Sequence, residues 1–140
     1  MERAVIQMDV RKERPPNFAG ILKVFPQAAG PGILFAYGDA IYNPSDVQIS
    51  TSLAAHEYRH LRQQNGEPAF WWERYLHDKE FRLAQEIEAH RDEYEQWCLD
   101  NPERKLRRLG LKGMAQRLSG PLYCHMLTYD KAKALIKVRA

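Results

Sequence analysis

The sequence predicts an α+β domain: a short sheet near the N-terminus, followed by helices to the end of the chain. Two observations carry this expectation. More than half of the Gly and Pro lie in the first 50 residues, including Pro15-Pro16 and Ala29-Gly30-Pro31-Gly32, with short β-prone runs between the breaks. From Ser50 onward the chain carries helix caps, helix stops and apolar residues at helical spacing.

Taken in order, residues 33–37 and 40–42 read as strands, and residues 18–25 as a short helix capped by Asn17 and stopped by Pro26. Ile21, Leu22 and Phe25 fall on one face of that helix. Residues 50–64 form the next helix, capped by Ser50, Thr51 or Ser52 and ended by Asn65-Gly66; Ala54, Tyr58 and Leu61 share one of its faces. A long helical tract covers residues 68–99, opening on Pro68, interrupted near Asp78 and closing before Asn101-Pro102. Leu83, Ile87 and Tyr94 mark its core side. In Phe70-Trp71-Trp72, three consecutive side chains cannot point one way, so core packing is expected for two of them. A short basic helix follows at residues 103–109, Gly110 and Gly113 punctuate the next stretch, and Thr128 caps a last helix over residues 128–138.

A length of 140 residues suits one domain spanning residues 1–140, with 44% hydrophobic and 28% charged residues in the usual globular balance. Such a domain buries roughly 68% of its unfolded surface and holds a core without staples, so a bound metal would serve chemistry first. The net charge of +3 neither demands nor excludes an acidic partner. No apolar run approaches the roughly 20 residues that span a bilayer, and the charged start differs from a signal peptide, so neither a membrane nor export is expected. Cys98 and Cys124 lie far apart, outside any C-x-x-C spacing, and read as reduced thiols.

The chemistry centres on His56-Glu57-Tyr58-Arg59-His60, an H-E-x-x-H inside a predicted helix. A spacing of four places both imidazoles one turn apart on one face, where they can grip a single Zn²⁺. Glu57 lies beside His56 around the helix, positioned to take a proton from a water that the metal activates. The competing reading is a plain polar surface, two histidines flanking a solvated glutamate. A catalytic zinc needs a third protein ligand, and the following helical tract offers Glu73, His77, Glu80, Glu86 and His90.

Among these, Glu86 stands in Glu86-Ile87-Glu88-Ala89-His90. Here the chain resembles the gluzincins, zinc peptidases whose third ligand is a glutamate on a helix downstream of H-E-x-x-H, in an element often written E-x-x-A-D or E-x-x-A-N. The resemblance puts Glu86 at the ligand position, Ala89 at the small residue where two helices approach, and His90 where relatives often carry Asp or Asn. That histidine departs from the pattern. Four residues from Glu86, it shares its face and can either hydrogen-bond a ligand from behind or compete for the metal. A wider likeness to minimal gluzincin domains of bacteriophage genomes runs through the stretch from His56 to Gln64, Trp72-Glu73-Arg74-Tyr75-Leu76, Phe81-Arg82, the run from Tyr37 to Asn43-Pro44, and Gly120-Pro121-Leu122-Tyr123. It implies a small zincin-like domain, with a long helix facing the H-E-x-x-H helix and short C-terminal helices. It also implies a peptide or protein substrate, and a place in the cytoplasm or in a virion.

Zinc hydrolases of this kind also need a donor for the developing oxyanion, and Tyr123 and His125 are the candidates, if the segment after Gly120-Pro121 folds over the metal. The alternative places Tyr123 in the core and His125 on the surface. Residues 104–117 hold six Lys and Arg with no acid, which can steer phosphate backbones or simply solvate a helix. The sequence therefore leads to a zinc metallopeptidase with His56, His60 and Glu86 on the metal and Glu57 as base. Its rivals are a catalytically silent zinc-binding structural or assembly protein and a nucleic-acid-associated protein.

Overall fold

The computed structural model describes residues 9–138, and within them the chain is α+β. Strand β1 (Asp9–Arg11) leads to helix α1 (Phe18–Val24), a 3-10 turn at Pro26–Ala29, and strands β2 (Phe35–Tyr37) and β3 (Ala40–Tyr42). Five further helices follow: α2 (Thr51–Gln64), α3 (Pro68–His77), α4 (Lys79–Asp100), α5 (Arg104–Leu118) and α6 (Tyr129–Lys137), with a second 3-10 turn at Pro121–Tyr123. The sheet order is β1-β3-β2, with β2 antiparallel and β1 parallel to β3.

Gly38, at φ +68, turns the tight β2–β3 hairpin in a conformation that only glycine adopts at no cost. The hairpin is pinned to the helices by side chains. Gln64, the last residue of α2, accepts from the Gly38 amide at 2.7 Å and donates to the Ala36 carbonyl at 2.8 Å, and the Trp72 indole donates to the same carbonyl at 2.8 Å. Ile21, Phe35, Ala40, Tyr42, Trp71, Trp72, Tyr75 and Leu76 then close one apolar cluster between sheet, α1 and α3. As expected of the aromatic run, Trp71 and Trp72 are buried whereas Phe70 is 69% exposed.

The helix boundaries follow local chemistry. The Ser50 hydroxyl accepts from the Leu53 amide to cap α2, and Asn65 ends it in the left-handed region. Asp78 divides the long tract, closing α3 and accepting from the Phe81 amide at 3.0 Å to start α4. Thr128 caps α6 through the Lys131 amide. Asn17 precedes α1 without a side-chain capping bond. Arg82, buried in α4, donates to the Tyr75 and Leu76 carbonyls at 2.9 and 3.2 Å and so satisfies the end of α3.

Two expectations are corrected. The basic helix does not stop at residue 109: α5 continues through Gly110 and Gly113 to Leu118, because Leu111, Met114, Ala115 and Leu118 supply a buried face against α6. Gly110 is an approach point inside that helix. The Trp97 indole of α4 lies against it and donates to the Leu106 carbonyl at 2.8 Å, in the space a Cβ would occupy. Gly110→Ala, which in an exposed helix would stabilise, is expected to cost about 1–3 kcal/mol here through overpacking; a denaturation midpoint at or above wild type would contradict this contact. Second, Asn17 does not cap α1 through its side chain. The Ala54, Tyr58 and Leu61 face of α2 is half-buried. The buried face carries Ser52, Ala55, His56, Glu57, His60 and Gln64 instead.

Against it lies the buried face of α4, made of Arg82, Glu86, Ala89, His90 and Glu93. Ala89, fully buried, keeps the two helices close. Leu83, Ile87, Tyr94 and Trp97 of α4 pack on the other side against the α5–α6 cluster, as expected for Leu83, Ile87 and Tyr94. The α2–α4 interface is thus polar and sits between two apolar clusters. No helix among the described residues is long and apolar enough to cross a membrane.

Candidate metal centre

Charged and polar groups are buried only when something compensates them, so the α2–α4 interface demands an accounting of its donors and acceptors. His56 and His60, one turn apart on α2, bring their Nε2 atoms to 3.2 Å. Glu86 reaches across from α4 with Oε1 at 3.2 Å from His56 Nε2 and Oε2 at 3.2 Å from His60 Nε2. All three residues are buried, which rules out the plain surface reading of the motif.

The opposite ring nitrogens fix the tautomers. His56 Nδ1 lies 2.8 Å from Glu93 Oε1, and a carboxylate oxygen accepts, so Nδ1 carries the proton. His60 Nδ1 lies 2.8 Å from Gln63 Oε1. The Gln63 amide is oriented by its nitrogen, which donates to the Gln85 carbonyl and Glu88 Oε1 at 3.0 Å each, so this Nδ1 is a donor too. Both Nε2 atoms consequently present lone pairs to each other and to a carboxylate. Only a cation reconciles that arrangement. In a metal-free molecule a proton is the substitute: burial disfavours a charged His56, but the hydrogen bonds to Glu86 and Glu93 outweigh it and lift the imidazole to about 10. Burial likewise opposes the Glu86 charge, yet His60 and His56 hold its carboxyl well below the usual range.

Two imidazoles and a carboxylate form a donor set that suits zinc, and Glu86 Oε1 faces only His56 Nε2, at 3.2 Å, where an ion would take the place of the shared proton. Glu86 Oε2 accepts from the Tyr75 hydroxyl at 2.6 Å, which sets the carboxylate's orientation. A second trio, His56, His90 and Glu93, also brings ligand atoms within 4.8 Å of one another. In that trio both Glu93 oxygens are engaged, Oε1 with His56 Nδ1 and Oε2 accepting from Arg117 Nη2 at 2.5 Å, and only His90 Nε2 is without a partner. His90 stands behind Glu86, its Nδ1 donating to the Glu86 carbonyl at 2.6 Å, and burial followed by the charge on His56 pushes its imidazole down to about 4. That bond is to the main chain of Glu86, one turn back in α4, and not to its carboxylate.

Glu57 is buried beside the pair, with its carboxyl raised above the usual value by that burial, and makes no protein hydrogen bond among the described residues. It lines a cavity of about 210 Å³ together with His56, His60 and Glu86. The opposite wall is apolar, formed by Ile21, Phe25, Ala28, Ile33 and Phe35, with Leu122 and Tyr123 also lining the space. Tyr123 therefore reaches the cluster. His125 does not: it is exposed, its Nδ1 3.1 Å from the Ser119 carbonyl. Cys124 and His125 both adopt positive φ, 59° and 50°, which turns the chain so that Tyr123 points in and His125 out. Glu73 and His77 face solvent and approach each other at 3.5 Å, and Glu80 is exposed, so neither α3 nor the first turn of α4 supplies a ligand.

Tyr75, Gln63 and above all Glu93 are the functional residues that sequence reasoning missed. One signal was present: Glu93 follows Glu86 by seven residues and so shares its helix face. Burial opposes the Glu93 charge, but the hydrogen bond to His56 and the Arg117 guanidinium bring its carboxyl down to about 2, so it acts on His56 as an anion. Glu93→Gln is expected to weaken zinc binding about 10- to 100-fold, as loss of a carboxylate behind a ligating histidine does. Competition against a chromophoric chelator measures it; wild-type affinity would show that Glu93 serves packing alone. No protein-family model matches the chain, and no curated protein or solved structure matches it either.

Proposed function

We propose that the protein is a zinc-dependent hydrolase of peptide bonds, of the gluzincin type, with His56, His60 and Glu86 as metal ligands and Glu57 as general base. The observation that carries this reading is the convergence of two Nε2 lone pairs and a carboxylate within 3.2 Å at the wall of a cavity that Glu57 also lines. Zinc held there would supply Lewis-acid activation of a water and of the scissile carbonyl. The protein's own groups do the remainder. Glu93, Gln63 and Tyr75 fix the direction of the three ligands. Glu57, without a competing partner and with its proton affinity raised by burial, accepts a proton at its carboxylate and returns it to the departing amine. The Tyr123 hydroxyl is the donor within reach for the carbonyl oxygen. The apolar wall lowers the polarity of the cavity beside these groups, which strengthens each of the interactions.

The test is cleavage of a quenched-fluorescence peptide library by zinc-loaded protein. Cleavage is expected to be lost on chelation and restored by zinc. Tyr123→Phe is expected to lower turnover by about 10²-fold with metal content intact, while His125→Ala leaves turnover unchanged. A protein that holds zinc and cleaves nothing would instead be a silent zinc-binding protein.

A further inference from the structure

Charge is divided unevenly along the chain: residues 1–102 hold eleven Lys and Arg against sixteen acids, whereas residues 103–140 hold ten against two. In the first part several cations are paired, as in Lys12 with Asp46, Arg59 with Asp92 and Arg74 with Asp78, and buried Arg82 and half-buried Arg91 donate to backbone carbonyls. On α5, Arg104, Lys105, Arg107, Arg108 and Lys112 are exposed, and none has a carboxylate within 4.0 Å among the described residues. Four of the five crowd the first two turns of the helix, where the macrodipole is positive and Glu103 at the N-cap is the one acid beside them, so the cations repel one another and the helix end. A partner that brings negative charge relieves this cost.

We propose that this basic face of α5 is a docking surface for the phosphate backbone of double-stranded DNA. Three features select the partner. The apolar face of α5 is committed to the core through Leu111, Met114, Ala115 and Leu118, so the helix has no broad apolar face left to enter a lipid surface. α5 carries no aromatic side chain on which unpaired bases could stack, which disfavours single strands. Lys105, Arg108 and Lys112 lie along one side of the helix over roughly 10 Å, and a rigid helix of this kind fits against B-form DNA, whose major groove admits it, better than against the deep, narrow groove of duplex RNA. With no base-reading side chains assigned, the binding is sequence-independent and salt-dependent. Neither the metal ligands nor Glu57 takes part.

Fluorescence anisotropy of a labelled 20-base-pair duplex of mixed sequence, titrated with full-length protein across a salt series, tests the proposal. Micromolar binding near 50 mM salt is expected, with log affinity falling against log salt at a slope of about −3 to −5. Lys105→Ala, Arg108→Ala and Lys112→Ala combined should make that slope shallower by about 3. Arg108→Glu alone should weaken binding at least tenfold, and circular dichroism and zinc content should match wild type in both variants. Absence of duplex binding, binding that the variants leave unchanged, tighter binding of the same sequence as duplex RNA, or binding of phosphatidylserine vesicles in place of DNA would each overturn it.

Discussion

Glu57→Gln is expected to retain zinc and lose hydrolysis by about 10²- to 10⁴-fold, the range that a positioned general base contributes. The amide keeps the size of the side chain and cannot accept a proton. Because Glu57 lines the cavity and makes no protein hydrogen bond among the described residues, the substitution breaks no network and leaves the three ligands in place. It also removes a buried carboxyl whose charge is costly, so the variant should be at least as stable as wild type. Turnover at the wild-type rate in a zinc-loaded variant would show that another group moves the proton.

The second large effect concerns the third ligand. Glu86→Gln and Glu86→Ala are each expected to abolish stoichiometric zinc binding, since Glu86 is the sole carboxylate within 3.2 Å of both Nε2 atoms among the described residues. His90→Ala should cost only about 10- to 100-fold in affinity, the effect of losing a support behind a ligand. The geometry explains the difference: His90 spends Nδ1 on the Glu86 carbonyl, while its Nε2 has no partner and sits in a fully buried position. Zinc titration of all three variants against a competing chelator, with circular dichroism to confirm folding, gives the comparison. Severe loss with His90→Ala and near-normal binding with both Glu86 variants would move the centre to three histidines.

What was legible in the sequence is what depends on neighbours along the chain. The H-E-x-x-H helix, a cap among Ser50, Thr51 and Ser52, the Thr128 cap, the break near Asp78 and the Asn65-Gly66 stop are local chemistry, and each lies where the sequence predicts it. β1 was not legible, because a three-residue exposed strand gains its identity only from parallel pairing with β3. At Gly110 the sequence predicts a break because glycine weakens an isolated helix, whereas in the folded chain its missing Cβ makes room for Trp97 within α5. Glu93 and Gln63 escaped notice for the same reason: their roles exist only once α2 and α4 pack. For Tyr123 and His125, two residues apart, the local sequence gave no preference. Their sides are decided by the left-handed residues of the turn, a conformation that neither Cys124 nor His125 announces.

X-ray absorption at the zinc edge, on protein reconstituted with one equivalent of zinc, tests the central claim most directly. A single site of nitrogen and oxygen scatterers at about 2.0–2.2 Å is expected, with the multiple-scattering signature of two imidazoles, reduced to one imidazole in His60→Ala. A spectrum with sulfur at about 2.3 Å, drawn from Cys98 or Cys124, or a protein that retains no zinc, would contradict it.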